Sequence, residues 1–442
     1  MELGIKIEMK FMKFNKKDLA VCFLTFSGTL FLLWLFLILS ASIPNAKIQD
    51  NMIKSALVYA QEDAFSYCDG SKMNGIADNY ADSIWLNVAW FMGEGNPIKS
   101  SLDTQYYDGD NYGENVGLYL AVSDEQTQPN TDYTRYWHGT AGFIRFLHLF
   151  TDVNGIKKIG FVCALFLAGI IVVLLIKDKN ALLAAAFVLS LCIVKVWNIR
   201  LSMEYQPAFV ICFLMCILYL LFEKKGDRYL LFLSSIGGVL IAFFDFLTTE
   251  TMVILLPLIF VIMVRTKEKR KASFPEAICF ITSQFTAWIL AYAISFLTKW
   301  SLASLLTGDN KFAAALQSVG ERINGPMSTG VEMNKFEQIL AAPAANISVL
   351  LGAQDRIDGM LFILGLFIIA SMVIVGVFLY PGKEKDKDTM KILLLLGGTI
   401  IVRFMVLSNH SYIHSFFTYR GMVSLIMAVF SIWIINFKKK KV

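Results

Sequence analysis

Leu19–Leu39, LAVCFLTFSGTLFLLWLFLIL, is an apolar run without a charge, of the length that crosses the hydrocarbon core of a bilayer. Five lysines precede it and no small-residue cleavage site follows, so it reads as an uncleaved first span with its basic end in the cytoplasm. The rest of the chain repeats the pattern. With 56% hydrophobic and 14% aromatic residues over 442 positions, the composition excludes an ordinary soluble domain. Further spans are predicted at roughly 159–176, 181–195, 208–222, 229–243, 252–264, 276–297, 360–379, 392–407 and 421–436. That makes ten, with both termini on one side.

Charge orients these spans. Met1–Asp18, Lys177–Asn180, Glu223–Arg228, Arg265–Phe274, Pro381–Lys391 and Lys438–Lys441 hold 23 of the 40 Lys and Arg. All six segments fall on one face when ten spans are threaded, which makes that face cytoplasmic. The net charge of +5 is therefore divided between two ends and implies no nucleic-acid partner. Cys68 stands alone in the first outer loop and the other six cysteines lie in or beside apolar runs, so no disulfide framework follows.

The expected fold class is an all-α polytopic membrane protein of about ten transmembrane helices with a large helical outer-face first loop. The expected segments are a cytoplasmic N-terminus (1–18), the first span (19–39), the large outer loop (40–158), spans two to seven (159–297), a second helical outer loop (298–359), spans eight to ten (360–436) and a cytoplasmic polylysine tail (437–442). The bilayer is the one partner this layout requires.

The large loop is acidic, with fifteen Asp and Glu against six Lys and Arg between Ala41 and Ile156. Within it, Ile76–Met92, IADNYADSIWLNVAWFM, carries Asp78 and Asp82 four residues apart, on one face if helical. The apolar aromatic continuation suits a helix lying along the membrane surface. Asp82, beside Ile84-Trp85-Leu86, is the favoured general base; Asp78 starts the segment, where helix capping is the ordinary alternative. Tyr133–Phe150 is predicted to be an interfacial helix, and Asn310–Arg322 a helix in the second outer loop.

All four histidines, His138, His148, His410 and His414, fall on the outer face of this threading. His410 and His414 at i,i+4 with Arg420 suit a phosphate group, as do Lys299 and Arg322, because imidazole and guanidinium supply donors and positive charge. Arg135-Tyr136-Trp137-His138 combines a cation, stacking rings and a titratable group, although interfacial anchoring also explains the two aromatics. Arg200 and Glu204 read as a structural i,i+4 pair. Two histidines are half a zinc site, with no HExxH or cysteine pair to complete it. No phosphate-loop, dinucleotide or serine-hydrolase motif is present.

Asp78-Asn-Tyr-Ala-Asp82, Arg135-Tyr-Trp-His-Gly139, Asp245-Phe-Leu-Thr-Thr249, Lys299-Trp300 and the segment His410–Arg420, in this order of loops and spans, resemble the GT-C superfamily of membrane glycosyltransferases. The resemblance implies an outer-loop carboxylate as base, Asp78 or Asp82, and a polyprenyl-phosphate sugar donor held by outer-face basic residues. The acceptor would be a glycan, a lipid or a protein. No cofactor is required, since the lipid phosphate is the leaving group, and a divalent metal is left open. Many members place the acid directly after the first span, whereas here it lies well down the loop, which leaves Asp50, Glu62 and Asp63 in play. The rival readings are a transporter or flippase of a lipid-linked or polar solute and a non-catalytic assembly protein.

Overall fold

The computed structural model describes residues 16–124, 126–270, 272–325, 333–378 and 384–437. The terminal lysines and most of the N-terminal segment lie outside the described residues. The first span is α1 (Lys16–Ala41), followed by α2 (Asn45–Ala60). An antiparallel hairpin of β1 (Phe65–Tyr67) and β2 (Ile76–Asp78) leads into α3 (Asn79–Met92) and the one-turn α4 (Pro97–Ser100). A second pair, β3 (Gln105–Tyr106) with β4 (Thr131–Asp132), brackets α5 (Gly113–Ser123), and α6 (Gly139–Leu147) leads back to the bundle. The bundle continues through α7 (Val153–Lys177), α8 (Ala181–Ile193), α9 (Gln206–Phe222), α10 (Asp227–Phe244), α11 (Met252–Lys267) and α12 (Phe274–Thr307). A second excursion forms α13 (Lys311–Asn324) and α14 (Lys335–Leu350). The chain ends with α15 (Gly359–Phe378), α16 (Glu384–Val406), the short α17 (Ser408–Ile413) and α18 (Ser415–Thr418), and α19 (Val423–Phe437).

The described residues are thus all-α apart from two short strand pairs, and eight of their helices are long and apolar enough to cross a membrane. Two predicted spans are shorter. α8 has 13 residues and α11 has 16, about 20 and 24 Å of helix against a hydrocarbon core of about 30 Å.

Described residues from five of the six basic connections also meet in space. At one end, Arg265 and Arg270 grip Glu223 at 2.9 and 2.7 Å, Arg228 reaches Asp18 at 3.3 Å, Lys267 donates to the Asp178 carbonyl at 2.6 Å and the Phe274 N–H to Asp388 at 3.0 Å. At the other end the two helical excursions and the connections around 196–205, 244–251 and 408–420 join in one cap. Lys195 pairs with Asp69 at 2.8 Å, and Asn74 donates to the Val349 carbonyl at 2.9 Å. Arg403 holds Glu250 through two bonds of 2.9 and 2.8 Å.

Two predicted elements are corrected. The stretch 76–92 is not a surface helix: Ile76–Asp78 is a strand, the helix starts at Asn79, and every residue from Asp82 to Met92 is buried. From Ile84 onward only Asn87 breaks the apolar sequence, and a helix that is apolar all round belongs in a core; α3 packs on α2, α5 and α6 inside the cap. The stretch 133–150 is helical only over Gly139–Leu147, where Phe143 and Phe146 face outward. Its first part is a turn closed by His138 in the left-handed conformation at φ 56°. Gly139 follows because a Cβ there would come within 2.1 Å of the Phe243 ring.

The buried Arg145 ties the cap to the end of α1. Its guanidinium donates to the carbonyls of Ser40 at 3.0 Å and Ala89 at 2.6 Å, to the Asn45 side chain at 2.8 Å, and to the carbonyl of Ile43. Gly93 leaves room for it, since a Cβ there would lie 2.2 Å from the guanidinium.

Candidate functional site

Asp82 is fully buried and its carboxylate is occupied by donors from three elements. Tyr59 Oη donates at 2.8 Å, Ser202 Oγ at 2.7 Å, and the N–H groups of Met203 and Glu204 at 3.1 and 3.2 Å. Lys157 Nζ stands 3.5 Å away. Four donors and a cation leave no lone pair free to take a substrate proton. The apolar neighbours on α3 therefore do not define the surroundings of Asp82, the predicted favoured base: its carboxylate bolts α3 to the connection 196–205.

Asp78 caps α3 by accepting the Ala81 N–H at 2.8 Å. Its carboxyl is buried, and the Glu204 carboxyl lies within hydrogen-bonding reach of it. Burial pushes both acids above the usual carboxylate range; Asp82 adds to this at Asp78, and Asp78 does so at Glu204. Glu204 Oε2 has no hydrogen-bond partner. The expected Arg200–Glu204 pair is not formed: Arg200 is exposed while Glu204 turns inward to Asp78. The connection runs as 3-10 turns there, so the α-helical i,i+4 geometry on which that pairing rested is missing.

The cationic wall is built by α13 and α17. Arg322 Nη1 donates to His410 Nδ1 at 3.3 Å and to His414 Nε2 at 3.2 Å. His410 Nε2 faces the Leu247 carbonyl at 2.8 Å and must carry the ring proton, so Nδ1 is an acceptor. His414 by the same logic carries its proton on Nδ1, which has no partner. Burial pushes both imidazoles down, His414 to about 3, with Arg322 contributing to each. Two neutral imidazoles thus hold one guanidinium in place.

Arg135 faces this wall. It lies 4.4 Å over the Tyr133 ring and 5.5 Å from that of Tyr136, with Nη1 3.4 Å from Ser318 of α13 and Nε unpartnered. Lys311, Ala315, Ser318 and Arg322 share one face of α13. That face is pinned at its start by Lys311 to Asp103 at 3.0 Å. Burial raises the pKa of the Tyr133 hydroxyl, while Arg135 and Arg322 pull it back and Glu204 adds to the rise.

Aromatic contacts complete a rim. Tyr106 and Tyr133 have centroids 5.5 Å apart, Tyr80 stacks on Phe65 at 6.1 Å, Phe65 meets Phe416 at 5.7 Å, and Phe416 lies 5.9 Å from His414. Below it, Phe246 stacks on Tyr136 at 4.5 Å and touches His138 at 5.0 Å. His138 Nε2 bonds the Tyr133 carbonyl at 2.7 Å, and burial pushes this imidazole down to about 3. Asp245 closes its own turn through the Thr248 N–H at 2.9 Å, and burial raises it to about 7.

Arg135, Tyr136 and His138 meet around Tyr133, and Arg322, His410 and His414 form a second cluster joined to it through Ser318 of α13. Asp78 and Asp82 are buried beside Glu204, and three other predicted residues lie outside these groups. Lys299 is buried against the Ser101 carbonyl at 3.2 Å and the Trp137 ring at 5.5 Å, and Trp137 donates to the Ser295 carbonyl at 2.8 Å. Both brace α12 against the cap. Arg420 is apart from His410 and His414: it lies 4.4 Å over Tyr205 and 5.0 Å from the Tyr419 ring, buried, with all three nitrogens unpartnered. Tyr133, Glu204 and Arg403 were missed as site residues. A cation in an apolar run is a signal for Arg403, and Glu204 was discounted because a local partner was at hand.

Among the described residues no group of three His, Cys, Asp or Glu is placed to hold a metal. The His410 and His414 nitrogens that could ligate are engaged by Arg322. No family model, curated protein or solved structure matches the chain.

Proposed function

We propose that this protein is a membrane-embedded glycosyltransferase that moves a sugar from a polyprenyl-phosphate donor to an acceptor at the capped end. In this reading ten helices span the cell membrane, both termini are cytoplasmic, and the cap faces outward. The observation that supports it is the pair of guanidiniums that meet along α13, Arg135 over the Tyr133 ring at 4.4 Å and beside Ser318, and Arg322 held by His410 and His414, in a cap that also buries the carboxyls of Asp78 and Glu204. The acceptor hydroxyl attacks the anomeric carbon as the bond from that carbon to the phosphate oxygen breaks. Asp78 takes the hydroxyl proton, and the arginines stabilise the charge that develops on the departing phosphate. The neutral histidines supply acceptors that aim Arg322 without adding a competing positive charge. No cofactor enters this scheme. The test is transfer of radiolabelled sugar from polyprenyl phosphate by the purified full chain in proteoliposomes, with Arg322→Ala and Asp78→Asn both expected to abolish most of it.

A further inference from the structure

The rim has two unlike halves. The cationic half is Arg135 and Arg322, the latter held by the neutral His414. Across it stand Phe65, Tyr80 and Tyr106 with the Glu114 carboxylate. Phe65 and Tyr67 alternate with Ser66 on β1 and so share one face of the hairpin. Tyr80, on the first turn of α3, is 36% exposed in a helix otherwise almost wholly buried. Burial raises the pKa of its hydroxyl, and Glu114, Tyr106 and Tyr133 add to the rise; the Tyr106 ring itself is buried against Tyr133 at 5.5 Å, so this residue offers its hydroxyl rather than its face. Glu114 is held there because its neighbour Asn115 accepts from Ser83 Oγ at 2.9 Å and donates to the Glu62 carbonyl at 3.0 Å, locking α5 against α3.

Ring faces beside a carboxylate and phenol hydroxyls match the chemistry of a pyranose. The C–H face of a sugar lies on the electron-rich face of an aromatic ring, and its hydroxyls donate to a carboxylate and accept from phenols. A phosphate would be repelled by Glu114 on this half, and a purely apolar chain would take water from the carboxylate while offering it no further donor.

We infer that Tyr80, Tyr106 and Glu114, with Phe65 behind them, form a saccharide subsite distinct from the phosphate-binding wall. That this saccharide is the acceptor rests on the transferase reading; that a saccharide binds does not. The acceptor is then a glycan rather than a protein or a simple lipid, with one hydroxyl passing Tyr133 toward Asp78.

Saturation-transfer NMR on the detergent-purified full chain tests this. The probes are neutral disaccharides of glucose, galactose, mannose and N-acetylglucosamine, with glycerol and a short polar peptide as controls. At least one disaccharide should bind, and Tyr80→Ala and Glu114→Gln should each weaken it at least tenfold. Tyr80→Phe, which keeps the ring and the fold, should weaken it less than Tyr80→Ala, and Tyr112→Ala, at an exposed ring outside the rim, should leave it unchanged. Binding of no disaccharide beyond glycerol, binding of the peptide alone, or equal affinity in parent, Tyr80→Ala and Glu114→Gln overturns the inference. Disaccharide binding with these losses, in a protein that transfers no sugar, would keep the subsite and remove the transferase reading.

Discussion

Ser202 donates its hydroxyl to Asp82 at 2.7 Å, and that bond joins residues 120 positions apart in the chain. Through it the connection between α8 and α9 is held on the first turns of α3, with Glu204 brought beside Asp78. Asp82 therefore positions the neighbouring acid pair.

Asp82→Asn should accordingly be a stability variant. The amide replaces an acceptor oxygen with a donor, so at least one of Tyr59, Ser202 and the two N–H groups loses its partner, a loss of about 3 kcal/mol for bonds to a buried charge. The melting temperature in detergent should fall by several degrees. An unchanged melting temperature together with lost transfer would restore Asp82 as the base.

Asp78→Asn should do the reverse. Asparagine caps a helix as well as aspartate, so stability should change by no more than about 0.5 kcal/mol, while loss of the proton acceptor should cost roughly 100-fold to 10,000-fold in turnover. Equal turnover in parent and variant would leave Asp78 a cap alone.

The pH dependence follows from the same acid. Burial raises the Asp78 carboxyl above its usual range, so it binds its proton more tightly folded than unfolded. Its contribution to stability is then fully present below the unfolded value and is lost as pH rises through the folded one. Activity runs the other way, because the base must be deprotonated: turnover should climb about tenfold per pH unit below the folded pKa. A flat profile from pH 5 to 8 would contradict this.

Arg322→Ala should free His414. Burial is the main cause of its depressed pKa and Arg322 the next, so the His414 titration followed by NMR should move upward while His148, held by Ser55 at 2.9 Å, stays put. Donor affinity should fall about tenfold or more with loss of a charge-assisted contact. An unmoved His414 would separate Arg322 from the imidazoles in solution.

The helices were legible because hydropathy acts locally: each predicted apolar run falls on a helix, eight helices among the described residues being long and apolar enough to cross a membrane, and Arg270 sits in the short connection it marks. The residues of the site were half legible. Arg322, His410 and His414 stand out by type and by face, but the partners that decide each role are remote. The surroundings of Asp82 were not legible because Tyr59 and Ser202 lie 23 and 120 positions away, and those of Glu204 because its sequence neighbour Arg200 looked sufficient. The core position of α3 could have been read from its all-round apolar composition.

Membrane sidedness is tested by thiol labelling. Cys68 is exposed in the cap, so an impermeant maleimide should label it in intact cells, while a cysteine placed at Lys267 should react only after lysis. The opposite pattern would invert the proposed orientation.

The most direct measurement of the central claim is sugar transfer by the full chain in proteoliposomes supplied with radiolabelled polyprenyl-phosphate sugar and a glycan acceptor. Transfer by the parent, retained by a partly stable Asp82→Asn in proportion to its folded fraction and lost in Asp78→Asn and Arg322→Ala, is the expected result. No transfer by folded parent protein with any polyprenyl-phosphate sugar, or full transfer by Asp78→Asn and Arg322→Ala alike, would contradict it.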